Sequence, residues 1–557
     1  KGTTIGTVTD ATGHYFLKNL PEGNFILEVS SVGYKTVTRN VTLKKGKTLE
    51  EDFEIEEDAI ALDGVVVSAN RSETTRRLAP TLVNVVDLKL FETTNSSTLS
   101  QGLNFQPGVR VETNCQNCGF QQVRINGLDG PYTQILIDSR PVFSALSGVY
   151  GLEQIPASMI ERVEVMRGGG SALFGSSAIA GTINIITKEP LRNSGQLSHT
   201  LTALGGGSSF DNNTSLNASL VTDDHRAGLY IFGQNRYRSG YDYDGDGFTE
   251  LPKLKNQTVG FRSYLKTSTY SKLTFEYHHM QEFRRGGDML DRPPHEAHIA
   301  EQLQHSIDGG SLKFDYFSPD EKNRLSIFAS AANTDRDSYY GPGNDPLKAY
   351  GKTTDLTAMG GAQYVHTFDK CFFMPSDLTA GLEYNRDRLK DNMWGYDRHT
   401  DQTVNIYSAF LQNEWKNDRW GILIGGRLDK HNMVDNVIFS PRANLRFNPT
   451  QNINLRLSYS SGFRAPQAFD EDMHIENVGG TVAMIERAKN LKEEKSQSFS
   501  ASADMYHRFG VFQTNFLIEG FYTRLTDVFV LGEPYDRGDG ILVKTRSNGP
   551  GAKVMGL

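Results

Sequence analysis

The 557-residue chain has no run of 18 consecutive apolar residues, so no transmembrane helix can be argued from it. That does not exclude a membrane. A transmembrane β-barrel hides its lipid face in period-two alternation and keeps a low average hydropathy, and the mean hydropathy here is −0.45. Cysteine is scarce: Cys115, Cys118 and Cys371 are the three residues, too few for a disulfide scaffold or a closed four-cysteine zinc site. Positive charge is also short. With a net charge of −8 and no dense Lys/Arg stripe, nucleic acid is excluded as a partner. Catalytic motifs are missing as well. Gly168-Gly169-Gly170 is not followed by the Gly-Lys-Ser/Thr of a phosphate loop. Gly175-Ser176-Ser177 lacks the Gly-x-Ser-x-Gly of a nucleophile elbow. His295-Glu296-Ala297-His298 is one residue short of metalloprotease spacing. The chain is read as no enzyme.

What is present points to β structure. Fifty-four glycines, with 23 Tyr and 31 Phe, suit strands joined by many tight turns. The length exceeds one ordinary core, so two or more domains are expected. Lys1 opens inside a β pattern with no Met or signal peptide, and Ala552 to Leu557 reads as a strand beginning; truncation at both ends is expected.

Residues 1–57 alternate short strands with turns at Asp10-Ala11-Thr12-Gly13 and Leu20-Pro21-Glu22-Gly23, then Val32-Gly33-Tyr34, as a small β-sandwich does. Residues 58–77 are a charged linker around one apolar knot: Leu62, Val65, Val66, Val67, Ser68 and Ala69. Such a run in a solvated linker has no core to enter. It suits donation to another protein's sheet edge, or else it is the last strand of the preceding domain. Residues 78–190 read as a compact α/β domain, with strand-then-turn signals at Arg124–Gly127 and Gln134–Asp138, a strand at Arg162–Met166 and an exit strand at Gly181–Thr187. From 191 to 557 the strands lengthen and alternate. Ile453, Leu455, Leu457 and Tyr459 would face lipid while Asn454, Arg456, Ser458 and Ser460 face a lumen. Phe439, Ala443, Leu445 and Phe447 alternate likewise with Ser440, Arg442, Asn444 and Arg446. Short turns (Asn417-Asp418, Pro449–Gln451) alternate with long loops (284–304, 337–352, 462–493), and about fifteen strands plus the start of another are counted.

Three stretches carry a family resemblance. "IERVEVMRGGGSALFGSSAIAGTINIITK" and "QVRINGLDGPYTQILIDSRPV" are similar to the plug domain of TonB-dependent outer-membrane receptors, with Gly169 where that family has Pro. "GTVTDATGHYFLKNLPEGNFILEVSSVGYKT" resembles the carboxypeptidase-regulatory-like domain, and "LDGVVVSANRSE" resembles the TonB box. The resemblance implies a mainly β protein: a transmembrane antiparallel barrel of about 22 strands when complete, an α/β plug and a small N-terminal β-sandwich. It implies a Gram-negative outer-membrane location, TonB with ExbB–ExbD as the energising partner, and a scarce large cargo. The N-terminal domain suggests a Bacteroidota-type system in which a surface lipoprotein lids the barrel.

Candidate sites follow. Asp242, Asp244 and Asp246 with Glu250 have the alternate-oxygen spacing of a hard-cation loop, so a structural Ca2+ in an extracellular loop is expected. Together with "VVVSANR" this is similar to vitamin B12 receptors, which makes cobalamin the expected cargo. The stretches around Gly462–Pro466 and Asn490–Ser496 resemble the paired boxes of haem receptors. They single out Arg464 and His474 as ligand-binding residues and leave haem or a ferric siderophore as the alternative. Glu494 is expected to lock plug to barrel through Arg124 or Arg167, and neutralising it should loosen the plug. The Cys-x-x-Cys of Cys115 and Cys118 can ligate a metal or form a tight disulfide, and in an oxidising periplasm the disulfide is the expected form. A surface adhesion protein is the rival class, and it would need neither plug signature nor lipid-facing alternation.

Overall fold

The computed structural model describes residues 3, 5–7, 9, 13–18, 20–30, 34, 36–55, 64–115, 117–141, 152–342, 349–478, 481–510 and 512–557. Leu62 and the sequence-predicted features at 10–12 and 32–33 lie outside the described residues. In the N-terminal module, β1 (Gly23–Val29) and β2 (Val37–Leu43) form an antiparallel hairpin in full register, from Gly23 opposite Leu43 to Val29 opposite Val37.

The plug begins earlier than its sequence signature. β3 (Val65–Val66) pairs with β4 (Thr74–Thr75), and Val66 and Ala69 are fully buried against Val83, Leu136, Met166 and Phe174. The apolar knot therefore does enter a core, contrary to the solvated-linker expectation. Burying two aliphatic side chains in a neighbouring domain is worth more than leaving them in water. β5 (Val83–Asp87) leads into α1 (Leu88–Thr93), whose first turn is capped by the Asp87 carboxylate accepting from the Leu90 amide at 2.9 Å. α2 (Leu99–Leu103) follows, then the hairpin of β6 (Val109–Cys115) and β7 (Phe120–Ile125). β8 (Thr133–Ile137), β9 (Ile160–Arg167) and β10 (Gly181–Thr187) complete a four-stranded sheet of order β5-β9-β10-β8, with only β8 and β10 parallel. The sheet core of Val163, Val165, Ile183 and Ile185 is fully buried, as an α/β layer requires.

Sixteen antiparallel strands form the barrel sheet in simple chain order, from Ser194–Leu204 to Ala552–Gly556. Alternation explains them. Leu457 and Phe439 are 55% and 60% exposed, while their neighbours Arg456, Ser440, Arg442 and Arg446 are buried. Among the largest fully buried side chains are Arg236, Arg284, Arg285, Arg336 and Arg446, while Leu197, Leu216, Val259, Leu382 and Ile424 stand exposed. That inverts the order of a water-soluble protein and fits a wall with lipid outside and a polar lumen. No helix among the described residues is long and apolar enough to cross a membrane.

One rim of the sheet carries tight turns, such as those after Ser268, Cys371 and Thr450; the other carries the long connections. The strands run further than expected. The predicted loop at 284–304 shrinks to 288–298 between Ser271–Gly287 and Ile299–Phe317. The long connections 465–493 and 527–551 are not plain loops. Thr481–Arg487 pairs in parallel with Ile541–Asn548 in a five-stranded sheet over the outer mouth, and Val482, Met484, Ile541 and Val543 pack down on Cys118 and Phe120 of the plug.

Candidate functional site

The functional geometry lies where plug meets barrel, and it has two ends. At the tight-turn end sits Val65–Arg71. The Glu164 carboxylate on β9, fully buried, accepts from the Val67 and Ser68 amides at 2.9 Å each and from the Ser68 hydroxyl at 2.7 Å. Asn184 of β10 donates to the Ser68 oxygen at 3.0 Å. The barrel grips the same segment. Arg442 donates to the Ala69 carbonyl at 2.9 Å, Gln412 to the Asn70 carbonyl at 3.0 Å, and Asn70 to Glu414 at 2.6 Å. Arg71 pairs with Glu383 and lies over the rings of Phe174 and Phe410. The expected partner-docking strand is thus bound into its own protein, held by charge-assisted hydrogen bonds that a competing strand could replace.

Between the ends, the interface is charged rather than greasy. Glu153 of the plug meets Arg284 at 2.7 Å, with Arg236 and Arg238 each at 3.6 Å. Burial would raise the Glu153 carboxyl, but the three arginines outweigh it and hold it down at about 2. Asp138 pairs with Arg262, and Glu189 with Lys272 at 3.1 Å. The expected lock takes a different form. Arg124 stays within the plug, on Glu112 at 2.6 Å and Asp129 at 3.1 Å. Arg167 does cross to the barrel, but to Glu519 at 2.6 Å. Glu494 accepts from the Tyr132 hydroxyl at 2.7 Å. Strand register decides this: Glu519 and Glu494 sit on adjacent strands, and β9 ends beside the former.

At the long-loop end, Arg464 is buried, donates to Glu471 at 2.6 Å and lies 4.0 Å from the Phe469 ring centroid. There it braces the outer loops. His474 faces Glu301 of the barrel at 3.5 Å and the Cys118 sulfur at 3.5 Å, between the edge-on rings of Phe120 and Tyr340 at 5.4 Å each. The sulfurs of Cys115 and Cys118 are unbonded in the structure, in place of the expected disulfide, and the Cys115 sulfur lies 3.1 Å from Glu301. The Cys115 thiol is pulled down to about 6, chiefly by its hydrogen bond with Cys118. Burial opposes charge on His474, yet its hydrogen bonds with Cys115 and Glu301 outweigh that and raise it to about 10. Gly119 at φ +69° makes the turn that closes the Gly119 amide onto the Cys115 carbonyl at 3.0 Å. A Cβ at Gly286 would overlap the Asn117 carbonyl, so the turn is seated directly on the barrel wall.

A cavity of about 180 Å3 separates the plug apex from the wall, lined by Gln122, Phe174, Asn385, Asp387, Arg427 and Phe469 among others. In the acidic loop, Asp242, Asp244 and Glu250 bring carboxylate oxygens within 4.8 Å of one another. Asp246 stands outside that group and caps the Phe248 amide at 2.8 Å. His295 and His298 do not converge: His298 turns to Asp288 at 2.5 Å and His295 to Tyr350 at 2.9 Å. Sequence reasoning missed Glu164, Glu153, Glu301 and Glu519. Glu164 had a faint signal, a carboxylate amid the buried run of β9; Glu301 and Glu519 are lumen residues like many, and Glu153 is a single acid in a plug connection with no pattern around it.

A polar-lined antiparallel barrel wall, an α/β plug inside it and a β-prone segment latched at the tight-turn end define a plugged outer-membrane receptor. The chain matches the TonB dependent receptor-like, beta-barrel family over residues 181–557, the TonB-dependent Receptor Plug Domain over 75–182 and the CarboxypepD_reg-like domain over 1–67. It belongs to the TonB-dependent receptor family, an outer-membrane family of receptors and transporters rather than of enzymes. It is 24% identical over 423 residues to the vitamin B12 transporter BtuB of Vibrio vulnificus strain CMCP6, covering 73% of this chain and 64% of that one. The protein of the same name from strain YJ016 is 33% identical over 174 residues, 30% of this chain and 28% of that one. The chain thus spans less than two thirds of the length of these curated relatives. Among solved structures, the siderophore receptor PirA of Acinetobacter baumannii aligns with a TM-score of 0.71 at 18% identity, covering 86% of this chain and 77% of that one. A variant of the ferric enterobactin receptor PfeA of Pseudomonas aeruginosa aligns at 0.70 and 18%, covering 86% and 77%. At such identity these likenesses speak for the fold alone.

Proposed function

We propose that this receptor imports a cobalamin-class cargo and that binding outside frees the Val65–Ala69 segment inside for TonB, driven by ExbB–ExbD. The observation that carries the cargo reading is the convergence of Asp242, Asp244 and Glu250 on a long outer loop. Gly245 and Gly247, at φ +79° and +93°, permit the tight wrap that oxygen ligands of Ca2+ need. The curated vitamin B12 transporters support the same direction. Calcium would order this loop as part of the cargo surface. A cavity of about 180 Å3 is too small for a corrinoid, as pockets for drug-sized ligands span about 300–1,000 Å3. Cargo entry therefore requires the outer sheet to lift, and a surface lipoprotein on the outer loops fits that step. His474 faces Glu301 and Cys118 at 3.5 Å each, a setting that supports the cobalamin reading over haem ligation by this residue.

Calorimetric titration of the detergent-purified protein with cyanocobalamin tests this. Tight binding is expected, weakened by EDTA or Asp244→Asn, and restored after EDTA by added Ca2+. No binding under any of these conditions would reject cobalamin and bring ferric siderophores forward on the same preparation.

A further inference from the structure

We propose that Cys115, Cys118, Glu301 and His474 form a binding site for a thiophilic divalent transition-metal ion of the zinc class, bridging plug, barrel and outer loop. The four donor atoms all lie within 4.8 Å of one another. The separations between pairs are 3.1 Å for Cys115 sulfur to Glu301, and 3.5 Å for both Cys118 sulfur to His474 and His474 to Glu301. A tetrahedral ion with bonds of 2.0–2.3 Å holds its ligands about 3.3–3.8 Å apart. Three of the six donor pairs are therefore close to the spacing that one ion imposes, and the remaining pairs, all within 4.8 Å, would draw in by up to about 1 Å.

The donor set selects the ion. Two thiolates and an imidazole with one carboxylate favour zinc, cobalt or copper over calcium and magnesium, which take oxygen. Coordination would displace the thiol protons into solvent. The supporting shell is built as well. Phe120 and Tyr340 fix the imidazole plane edge-on, and Leu303, Tyr339, Ile475 and Met484 form the apolar surround that excludes water. A disulfide needs neither Glu301 nor His474, whereas a shared ion uses all four.

The donors come from three separate segments: the end of β6 with the turn that follows it, the barrel strand Ile299–Phe317, and the connection after the short helix Asp470–Met473. An ion here is a cross-link whose plug half leaves with the plug, so displacement of the plug removes two of its four ligands and releases it. Cys371, on the strand Tyr350–Cys371 beside a tight turn of the opposite rim, takes no part.

The site's occupancy is measured without TonB or cobalamin, so it stands or falls apart from the cargo reading. The full chain, purified in detergent, reduced and kept free of oxygen, is titrated with Co2+ and then Zn2+. One Co2+ per chain is expected, with a sulfur-to-cobalt charge-transfer band and the intense visible bands of a tetrahedral site, all removed by Zn2+. Cys118→Ser cuts the charge-transfer intensity to about half, replacing both cysteines by serine abolishes it, and His474→Ala and Glu301→Gln each weaken Co2+ binding by about tenfold or more. Heat-modifiable gel mobility verifies that each variant keeps its barrel. Absence of the thiolate band, or binding unchanged in both His474→Ala and Glu301→Gln, overturns the proposal. So does a Cys115–Cys118 disulfide found by mass spectrometry in protein alkylated before any reductant is added.

Discussion

Single carboxylates set how firmly the plug is held. Glu153 faces Arg284, Arg236 and Arg238, and removing its charge would leave buried guanidinium groups short of a counterion. Breaking one side of such a pair costs about 3–5 kcal/mol, so Glu153→Gln should loosen the plug without unfolding the wall. Because the folded carboxyl is held at about 2, below its ordinary 4.5, its contribution is fully present above pH 4.5 and is lost as pH falls toward 2. Hydrogen exchange across residues 152–167 should therefore accelerate in the wild type on acidification through that window. In Glu153→Gln it should already be fast at neutral pH. Equal protection in both proteins would remove Glu153 from the lock. None of this was legible from sequence, because a single acid in a plug connection looks like any other solvated carboxylate until the barrel arginines are placed around it. The same holds for Glu519, which takes the Arg167 contact expected of Glu494.

At the scale of the strand, period-two alternation separates lipid from lumen, and it predicts opposite outcomes one residue apart. Leu457 points outward and Arg456 inward, where Arg456 donates to the Ala79 carbonyl at 3.1 Å and the Arg76 carbonyl at 2.9 Å. Leu457→Arg should cost about 2–4 kcal/mol if the residue lies near the bilayer midplane. Urea titration of the protein in lipid vesicles would read this, and a cost below about 0.5 kcal/mol would mean that this face does not meet hydrocarbon. Alternation is a local property, which is why the strand count from sequence, fifteen and the start of another, agrees with the sixteen strands observed. Elements made by distant pairing were not legible. Thr481–Arg487 and Ile541–Asn548 pair across more than fifty residues of intervening chain, and each alone is a short polar-flanked run. The knot at Val65–Val66 was legible as β-prone, but its partner β4 is two residues long and carries no pattern of its own. Gly286 illustrates the same limit, since nothing beside it in sequence announces the Asn117 carbonyl it must admit.

For the molecule as a whole, the two ends of the plug must be coupled if cargo outside is to be sensed inside. The inner end has a latch in which Glu164 makes more of the hydrogen bonds than any other single side chain, beside Asn184, Arg442 and Gln412. Glu164 accepts three hydrogen bonds from Val67 and Ser68 and also pairs with Arg162 at 3.0 Å. While the latch holds, the segment is unavailable, and the apparent affinity for any partner is reduced by the fraction of molecules that have released it. Hydrogen bonds to a charged group contribute about 1.5–3 kcal/mol each, so neutralising Glu164 should raise the released fraction by about tenfold or more. Glu164→Gln keeps the size and one acceptor oxygen, which leaves plug packing in place. The periplasmic domain of TonB should therefore bind the wild-type receptor weakly, and more tightly once cargo is added. It should bind Glu164→Gln tightly from the start, with cargo adding little. Surface plasmon resonance with the receptor in nanodiscs separates the possibilities. If the variant and the wild type bind TonB alike without cargo, the segment is already accessible and the latch controls nothing. If the variant binds more tightly and cargo still adds its full increment, then the outer signal reaches TonB by a route that bypasses Glu164. Loss of the cargo increment in the variant alone is the outcome that makes this carboxylate the inner terminus of the signal.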